Sequence, residues 1–421
     1  MESMPIRGSI SSSDRERHMS RNPHFHVALF GEFGIGNIGN DASCRTVLDL
    51  FGTHYPDIKL SLISRSPIEA ERIFGIAAVP ISATTPDFRL WKKIGPAQKI
   101  TEKISDLFHL IRIVGRYDAV VVPGTGVLEA AKCRNPGGVI VWLLSLTFAC
   151  WIRRVPLAWF AVGGSPYRFQ LPARVAVLAA RGASYLSFRD EVTLSTLRSH
   201  GLDVSNSLVS RDVVFARASS YGAAAKIKTP GPISTVAIAA IDYEDAGDGV
   251  QYMDRLIGVA LNLLERGLKL VIVSGDDSDE VHTDQLVQRL SEAGYPQGPT
   301  VTRVPRGDFD LLSEALVTTD LVIGSRLHVL IAGVLLRRPI IALSHATKDD
   351  ELLRQLELNR YTHAIETFST IDIEQSIAHL DDNIQAVRDK LERGCTNAEN
   401  IVLSDFWRMG RAFQLMEHSR S

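Results

Sequence analysis

The thirty-one residues from Asp320 to Asp350, DLVIGSRLHVLIAGVLLRRPIIALSHATKDD, constrain the fold more than any other stretch of the chain. Leu321 to Ile323 is an apolar run of the length of a buried parallel strand. Gly324 and Ser325 break it as a strand-to-helix turn, with Ser325 a candidate N-cap. Arg326-Leu327-His328 follows, then an apolar helix over Val329 to Leu336 and a second strand over Pro339 to Leu343. That strand leads into a polar loop holding His345 and Lys348. Arg326 and His328 thus fall in the first turn of a helix at the carboxyl end of a strand. Open α/β sheets bind ligands there, and helix N-termini favour anions. An arginine, a histidine and a nearby lysine make a site for a small, strongly anionic molecule. Context alone leaves the plainer alternative open, in which Arg326 forms a surface ion pair and His328 is structural.

The remainder of the chain repeats the strand–helix alternation. His26 to Phe30 reads as a first strand entering the glycine-rich turn GEFGIGNIGNDAS, followed by a helix from about Asp41 to Phe51 and a strand over Ile58 to Ile63. Further strands are expected at Ile76–Ile81, Tyr117–Val122, Pro156–Val162 and Ser184–Phe188, with helices at 66–74, Val139–Ile152, Leu171–Arg181 and Glu191–His200. Around 216–232 periodicity gives way to small residues, Pro and Gly, which marks a linker. The plan then restarts with strands at Thr235–Ala240, Leu268–Ser274 and Thr300–Val304 and helices between them. Strands alternating with helices of this length imply parallel pairing and an α/β, doubly wound sheet in each half. The expected division is a disordered tail over 1–24, an N-terminal domain over 25–215, the linker, a C-terminal domain over 233–395, and a final helix over 396–421 that crosses back to the first domain.

Composition narrows the function classes. A formal net charge of −2 argues against nucleic acid as a partner. The four cysteines, Cys44, Cys133, Cys150 and Cys395, form no CxxC pair; they fit a reducing compartment and offer no zinc site. Residues 1–24 lack the apolar core of a signal peptide, and the 14-residue run Val139–Ile152 is shorter than the roughly 20 residues of a spanning helix. It reads as a buried helix. The expected location is cytoplasmic, with contact at the inner membrane face carried by the basic amphipathic segment Arg89–Arg112, whose plainer reading is a solvated helix face.

Four segments carry candidate chemistry. Gly36-Asn37-Ile38-Gly39-Asn40-Asp41 follows the first strand; its glycines allow close backbone approach, and Asn37, Asn40 and Asp41 can cap the helix or bond sugar hydroxyls. Gly34, Gly36 and Gly39 spell GxGxxG, but the acidic residue that a dinucleotide needs after the second strand is replaced by Ser64-Arg65-Ser66. Gly124-Thr125-Gly126 ends another strand, with Glu129 beyond it. Ser187-Phe188-Arg189-Asp190-Glu191 sets an arginine at a strand end with acids opening a helix. Arg326-Leu327-His328 with Lys348 is the fourth. Each of the first three also reads as a plain turn or an N-cap. The run Asp276 to Glu280, GDDSDE with its glycine, reads as a solvated loop and N-cap rather than a metal site.

In this order the set resembles the polysaccharide pyruvyl transferase family, through GNIGND at 36–41, the strand and PGTG at 119–126, SFRDEVT at 187–193 and DLVIGSRLHVLIAGVLLRRPIIAL at 320–343 followed by Lys348. The resemblance covers most of 26–350. It implies two Rossmann-like domains facing across a cleft, the GT-B arrangement, and transfer of the carboxyethylidene unit of phosphoenolpyruvate onto two hydroxyls of a saccharide acceptor, free or lipid-linked, of an exopolysaccharide or glycolipid. By the same resemblance Arg326 binds the donor, His328 is the general acid and Arg189 is an anion contact across the cleft. Where the family has an aromatic and acidic segment before the lysine, this chain reads Ser344-His345-Ala346-Thr347, which leaves His345 as a substitute contact. The chemistry suits the residues: an arginine grips a carboxylate in two places, and a histidine of ordinary pKa, about 6.5, delivers a proton near neutrality. No metal or cofactor is called for. Two alternatives stay open: a GT-B glycosyltransferase using a nucleotide-sugar, and a relative that binds ligand without catalysis.

Overall fold

The computed structural model describes residues 25–83, 96–129, 138–225, 231–243 and 249–415. The tail 1–24, the segment 89–95 and Cys133 lie outside them.

Two parallel sheets organise the chain. The first holds β1 (His26–Gly31), β2 (Lys59–Ser64), β3 (Ala78–Pro80), β4 (Ala119–Pro123), β5 (Leu157–Val162), β6 (Tyr185–Phe188) and β7 (Leu208–Val209), in the order β3-β2-β1-β4-β5-β6-β7. Its helices are α1 (Ile38–His54), α2 (Pro67–Phe74), α3 (Pro96–Val114), α4 (Gly138–Arg153), α5 (Gln170–Arg181) and α6 (Glu191–Ser199). A 3₁₀ turn, Val213–Arg217, and α7 (Ala218–Ala225) lead to the second half. There β8 (Thr235–Ala239), β9 (Lys269–Val273), β10 (Val301–Arg303), β11 (Leu321–Gly324), β12 (Ile340–Ser344) and β13 (Thr362–Ala364) pair in the order β10-β9-β8-β11-β12-β13. The intervening helices are α8 (Gly249–Glu265), α9 (Glu280–Glu292), α10 (Phe309–Val317), α11 (Leu327–Leu335), α12 (Thr347–Gln355), α13 (Thr370–Asp382) and the long α14 (Ile384–Ala412).

In both sheets the strand order reverses between the first and fourth strands, β1 pairing in parallel with β4 and β8 with β11. These reversals open the crevices in which doubly wound folds bind ligands. The period-2 alternation of β1 builds two cores: Val27 and Leu29 join a cluster that runs through α14 into the second sheet, while Ala28 and Phe30 face a separate core under α3, α4 and α5.

Several elements differ from the sequence reading. Leu208–Val209 and Thr362–Ala364 are edge strands too short to carry a periodic signal. The aperiodic segment after 216 begins with a helix, because ASSYGAAA is small but alanine-rich. The last helix starts at Ile384. The apolar helix α4 is not buried all round: Phe148, Trp151 and Ile152 are exposed. Among the described residues no helix is long and apolar enough to cross a membrane.

Candidate active site

Arg326 is the N-cap residue of α11, in extended conformation (φ −94°, ψ 120°), so it sits in the turn and His328 one step inside the helix. Their side chains part company. The Arg326 guanidinium forms a two-pronged pair with Asp279, Nε to Oδ2 at 2.7 Å and Nη2 to Oδ1 at 2.5 Å, and also donates to Ser278. Asp279 is fully buried, so it is not part of a solvated loop as the sequence suggested. Burial opposes the Arg326 charge, and Asp279 more than restores it.

His328 turns toward the first sheet. Its Nε2 lies 3.4 Å from Oδ2 of Asp212, a buried carboxylate just after β7. Its ring packs against Gly39: a Cβ there would come within 2.0 Å of Nδ1. Asp212 in turn faces Arg189, Nη1 to Oδ2 at 3.6 Å. Burial pushes the Asp212 carboxyl up, but His328 and Arg189 outweigh it and hold it below the usual carboxylate range. Arg189 is buried among Asp190, Asp212 and Glu129, packed over Gly163, and its Nη2 has no hydrogen-bond partner. It is carried at the end of β6 beside a register shift in β5, where Ala161 takes φ 53° and donates its N–H to Ser187. Bulges of this kind re-aim side chains next to sites.

Lys348 is not in a loop but in the first turn of α12, where its Nζ reaches both oxygens of Glu129, at 3.1 and 3.2 Å. Burial alone would raise Glu129; Lys348 and Arg189 together hold it low. His345 precedes that helix with Nδ1 3.3 Å from Asp349, a fully buried carboxylate with no hydrogen-bond partner. His328, Asp212, Arg189, Glu129 and Lys348 therefore form a continuous polar chain between the halves. Arg189, Asp212, Leu327 and Lys348 border a crevice of about 20 Å³, on the order of one water molecule.

The GNIGND turn meets the second half directly. Asn37 caps α1 by accepting from the Asn40 N–H and donates to Asp276 at 2.7 Å. The Gly36 carbonyl accepts from Arg306 and from the Asp277 N–H, and with φ 89° and Asp277 against it Gly36 leaves no room for a side chain. Asn40 donates to the Glu32 carbonyl. Asp41 accepts from the Gly34 N–H, and burial raises its carboxyl to about 6. The turn thus spends its polar groups on its own fold and on the contact between halves. In the second glycine turn the Gly124 carbonyl accepts from Ser43, Gly126 lies against Glu129, and buried Thr125 has a hydroxyl without a partner. The sequence missed Asp212 and gave Glu129 no role. Asp212 follows a two-residue strand and carries no motif, and Glu129 gains meaning only when Lys348 arrives from the other half. Among the described residues no group of three His, Cys, Asp or Glu is placed to hold a metal.

The polysaccharide pyruvyl transferase model matches residues 37–347, from the GNIGND turn to the start of α12. The chain belongs to the polysaccharide pyruvyl transferase family. In architecture this pyruvyl transferase family member is GT-B-like. It is similar to UDP-GlcNAc 2-epimerase from Neisseria meningitidis bound to UDP-GlcNAc (TM-score 0.58, 12% identity, 91% of this chain and 99% of that one). It is also similar to Anabaena HepE in complex with UDP and glucose (TM-score 0.57, 14% identity, 93% and 100%). A glycosyltransferase from Rickettsia africae gives TM-score 0.57 at 9% identity, over 93% and 99%. At such identities the likeness is one of fold. Among curated proteins no sequence matches significantly.

Proposed function

We propose that the protein transfers pyruvate from phosphoenolpyruvate to two hydroxyls of a saccharide, forming a cyclic ketal and releasing phosphate. The observation that carries this reading is the polar chain between the halves. Among the described residues, a histidine backed by a buried carboxylate stands beside an arginine with an unbonded N–H and a lysine paired with Glu129. The donor carries a carboxylate and a phosphate. Arg189 and Lys348 supply fixed positive charge for it, Lys348 exchanging Glu129 for the ligand, and Arg326 holds the turn that aims His328. Asp212 orients the ring.

In this scheme His328 gives its proton to the methylene carbon of the donor, which becomes the ketal methyl. The adjacent carbon becomes oxocarbenium-like, and the first sugar hydroxyl adds and releases its proton. Phosphate then leaves and the second hydroxyl closes the ring. Of the two hydroxyl protons, one restores His328 and the other leaves with hydrogen phosphate. The crevice between Arg189 and Lys348 is too small for phosphoenolpyruvate as it stands, so its lining side chains would have to shift to admit it. The acceptor, free or lipid-linked, enters from the same cleft.

The test is phosphate release from phosphoenolpyruvate in the presence of candidate saccharides, alongside melting shifts with phosphoenolpyruvate and with UDP- or GDP-sugars. Ligand at a hundred times its Kd stabilises by about 2.7 kcal/mol. Acceptor-dependent phosphate release with a donor-induced shift supports the reading. A shift with a nucleotide-sugar and none with phosphoenolpyruvate assigns the cleft to glycosyl transfer instead.

A further inference from the structure

The outer face of the first sheet is covered by α3, α4 and α5 packed side by side over the core of Phe30, Val122 and Trp159. Each helix buries one stripe and leaves another in solvent, and all three outer stripes carry large apolar side chains. They are Ile104 and Phe108 on α3, Phe148, Trp151 and Ile152 on α4, and Leu171 and Leu178 on α5. Phe108 is 67% exposed and Trp151 70%. The Phe148 and Trp151 rings stack at 5.6 Å, an aromatic ridge that stays exposed among the described residues. Surface apolar residues are common singly; a ridge across three neighbouring helices marks a contact surface.

The charge around this ridge is mostly basic, the acids of its three helices being Glu102 and the buried Asp106 on α3. The sixty residues 130–189 contain no Asp or Glu, although the whole chain is formally −2. Arg153 and Arg154 end α4, and Arg174 and Arg181 lie on the outer stripe of α5. Among the described residues none of these four pairs with an acidic side chain; Arg153 packs over Gly115 and Arg181 donates to the Gly201 carbonyl. Arg112 and Arg116 extend the basic rim at the end of α3.

We propose that this face docks on an anionic phospholipid bilayer, with the Phe108–Phe148–Trp151 ridge entering the headgroup boundary and the arginines on the lipid phosphates. Trp151, with an apolar body and a polar edge, suits that boundary, the Phe rings add apolar area, and interfacial surfaces combine such residues with cations. A second copy of the chain is a poorer occupant: symmetric pairing of this face would set its arginines against their own copies. α5 starts a few residues after Gly164 at the carboxyl-end rim that also bears Arg189, so the bilayer would lie alongside the cleft. This inference stands on the surface alone and does not depend on the reaction proposed above.

The experiment is co-sedimentation of the full-length protein with vesicles of phosphatidylcholine alone and of an equal mixture with phosphatidylglycerol. Binding at least about tenfold stronger to the anionic vesicles is expected, with release as salt rises. Phe148→Ser with Trp151→Ser should weaken binding at low salt, and Arg154→Glu with Arg174→Glu should abolish the lipid preference. Both double variants should keep the wild-type melting temperature, since these side chains are exposed. Equal or no binding to the two vesicle types overturns the proposal. So does loss of binding in the arginine variant alone, which would mean adsorption without the ridge. A wild-type dimer that the Phe148→Ser, Trp151→Ser variant converts to monomer would assign the face to self-association instead.

Discussion

The imidazole of His328 takes its acidic partner from the other half of the molecule, and that separation sets what substitutions will do. If His328 is the proton donor, His328→Gln should lower kcat by roughly 10²–10⁴. Asp212 acts through the ring, so Asp212→Asn should cost about 10²-fold or more. Near-normal kcat in His328→Gln with an unchanged pH profile would make the residue structural and shift attention to His345. Asp41 tests the electrostatics separately. Burial raises its carboxyl from 3.8 to about 6, so the folded state holds the proton more tightly than the unfolded chain. Its contribution to stability is full below about pH 4 and is lost as pH rises through 6, leaving a penalty on the order of 3 kcal/mol at neutrality. Asp41→Asn keeps an acceptor for the Gly34 N–H and should melt higher than wild type at pH 7, with the gap closing toward pH 4; equal melting at both would refute the raised carboxyl. Arg326, His328, Lys348 and Arg189 could be picked out as candidates because each stands at or just beyond a strand end in a motif. Asp212, Asp279 and Glu129 could not, because each acquires its role from a residue far away in sequence.

At the scale of elements, the glycine turn and α1 were readable, but the reason for the glycines was not. Nothing in GNIGND tells that Gly39 lies under His328 or that Gly36 abuts Asp277. Gly39 is the second residue of α1, where alanine is the better helix former. Gly39→Ala gains helix propensity but sets a methyl within 2.0 Å of the ring, so it should displace the imidazole with a modest fall in melting temperature, kcat falling far more than donor binding. Wild-type turnover in Gly39→Ala would show that the ring position is irrelevant to the chemistry. Strong strands such as AVVVP and LAWFAV declared themselves because both faces of a parallel sheet are buried. The edge strands β7 and β13 did not, being two and three residues long. Lys348 was misplaced into a loop because its helix starts from Ala346 with no side-chain cap, and capping residues are the signal by which helix starts are read.

At the scale of the whole molecule, the repeated α/β plan was visible, whereas the ties that join the two sheets come from amphipathic surfaces and single polar contacts without a motif. The largest is α14. Its first half belongs to the second sheet, with Cys395 bonded to the Val334 carbonyl and Glu392 paired with Arg337. Its second half crosses to the first, where Asp405 accepts from Tyr185 and Phe406 is fully buried among Phe51, Tyr55 and Phe160. One cluster of buried side chains runs without a break from β1 through this helix to β12, so the two halves should unfold together. Phe406→Ala removes the ring at the centre of the crossing and should destabilise by about 3–5 kcal/mol, the range for a buried Phe in a core that cannot collapse. The loss falls on the first sheet, while the contacts of Cys395 and Glu392 with the second remain. Calorimetry should accordingly show one transition for the wild type and two for Phe406→Ala, the lower one reporting the first half. A single transition in the variant, lowered by less than about 1 kcal/mol, would mean that α14 does not couple the halves, and that the polar contacts across the cleft hold them together on their own.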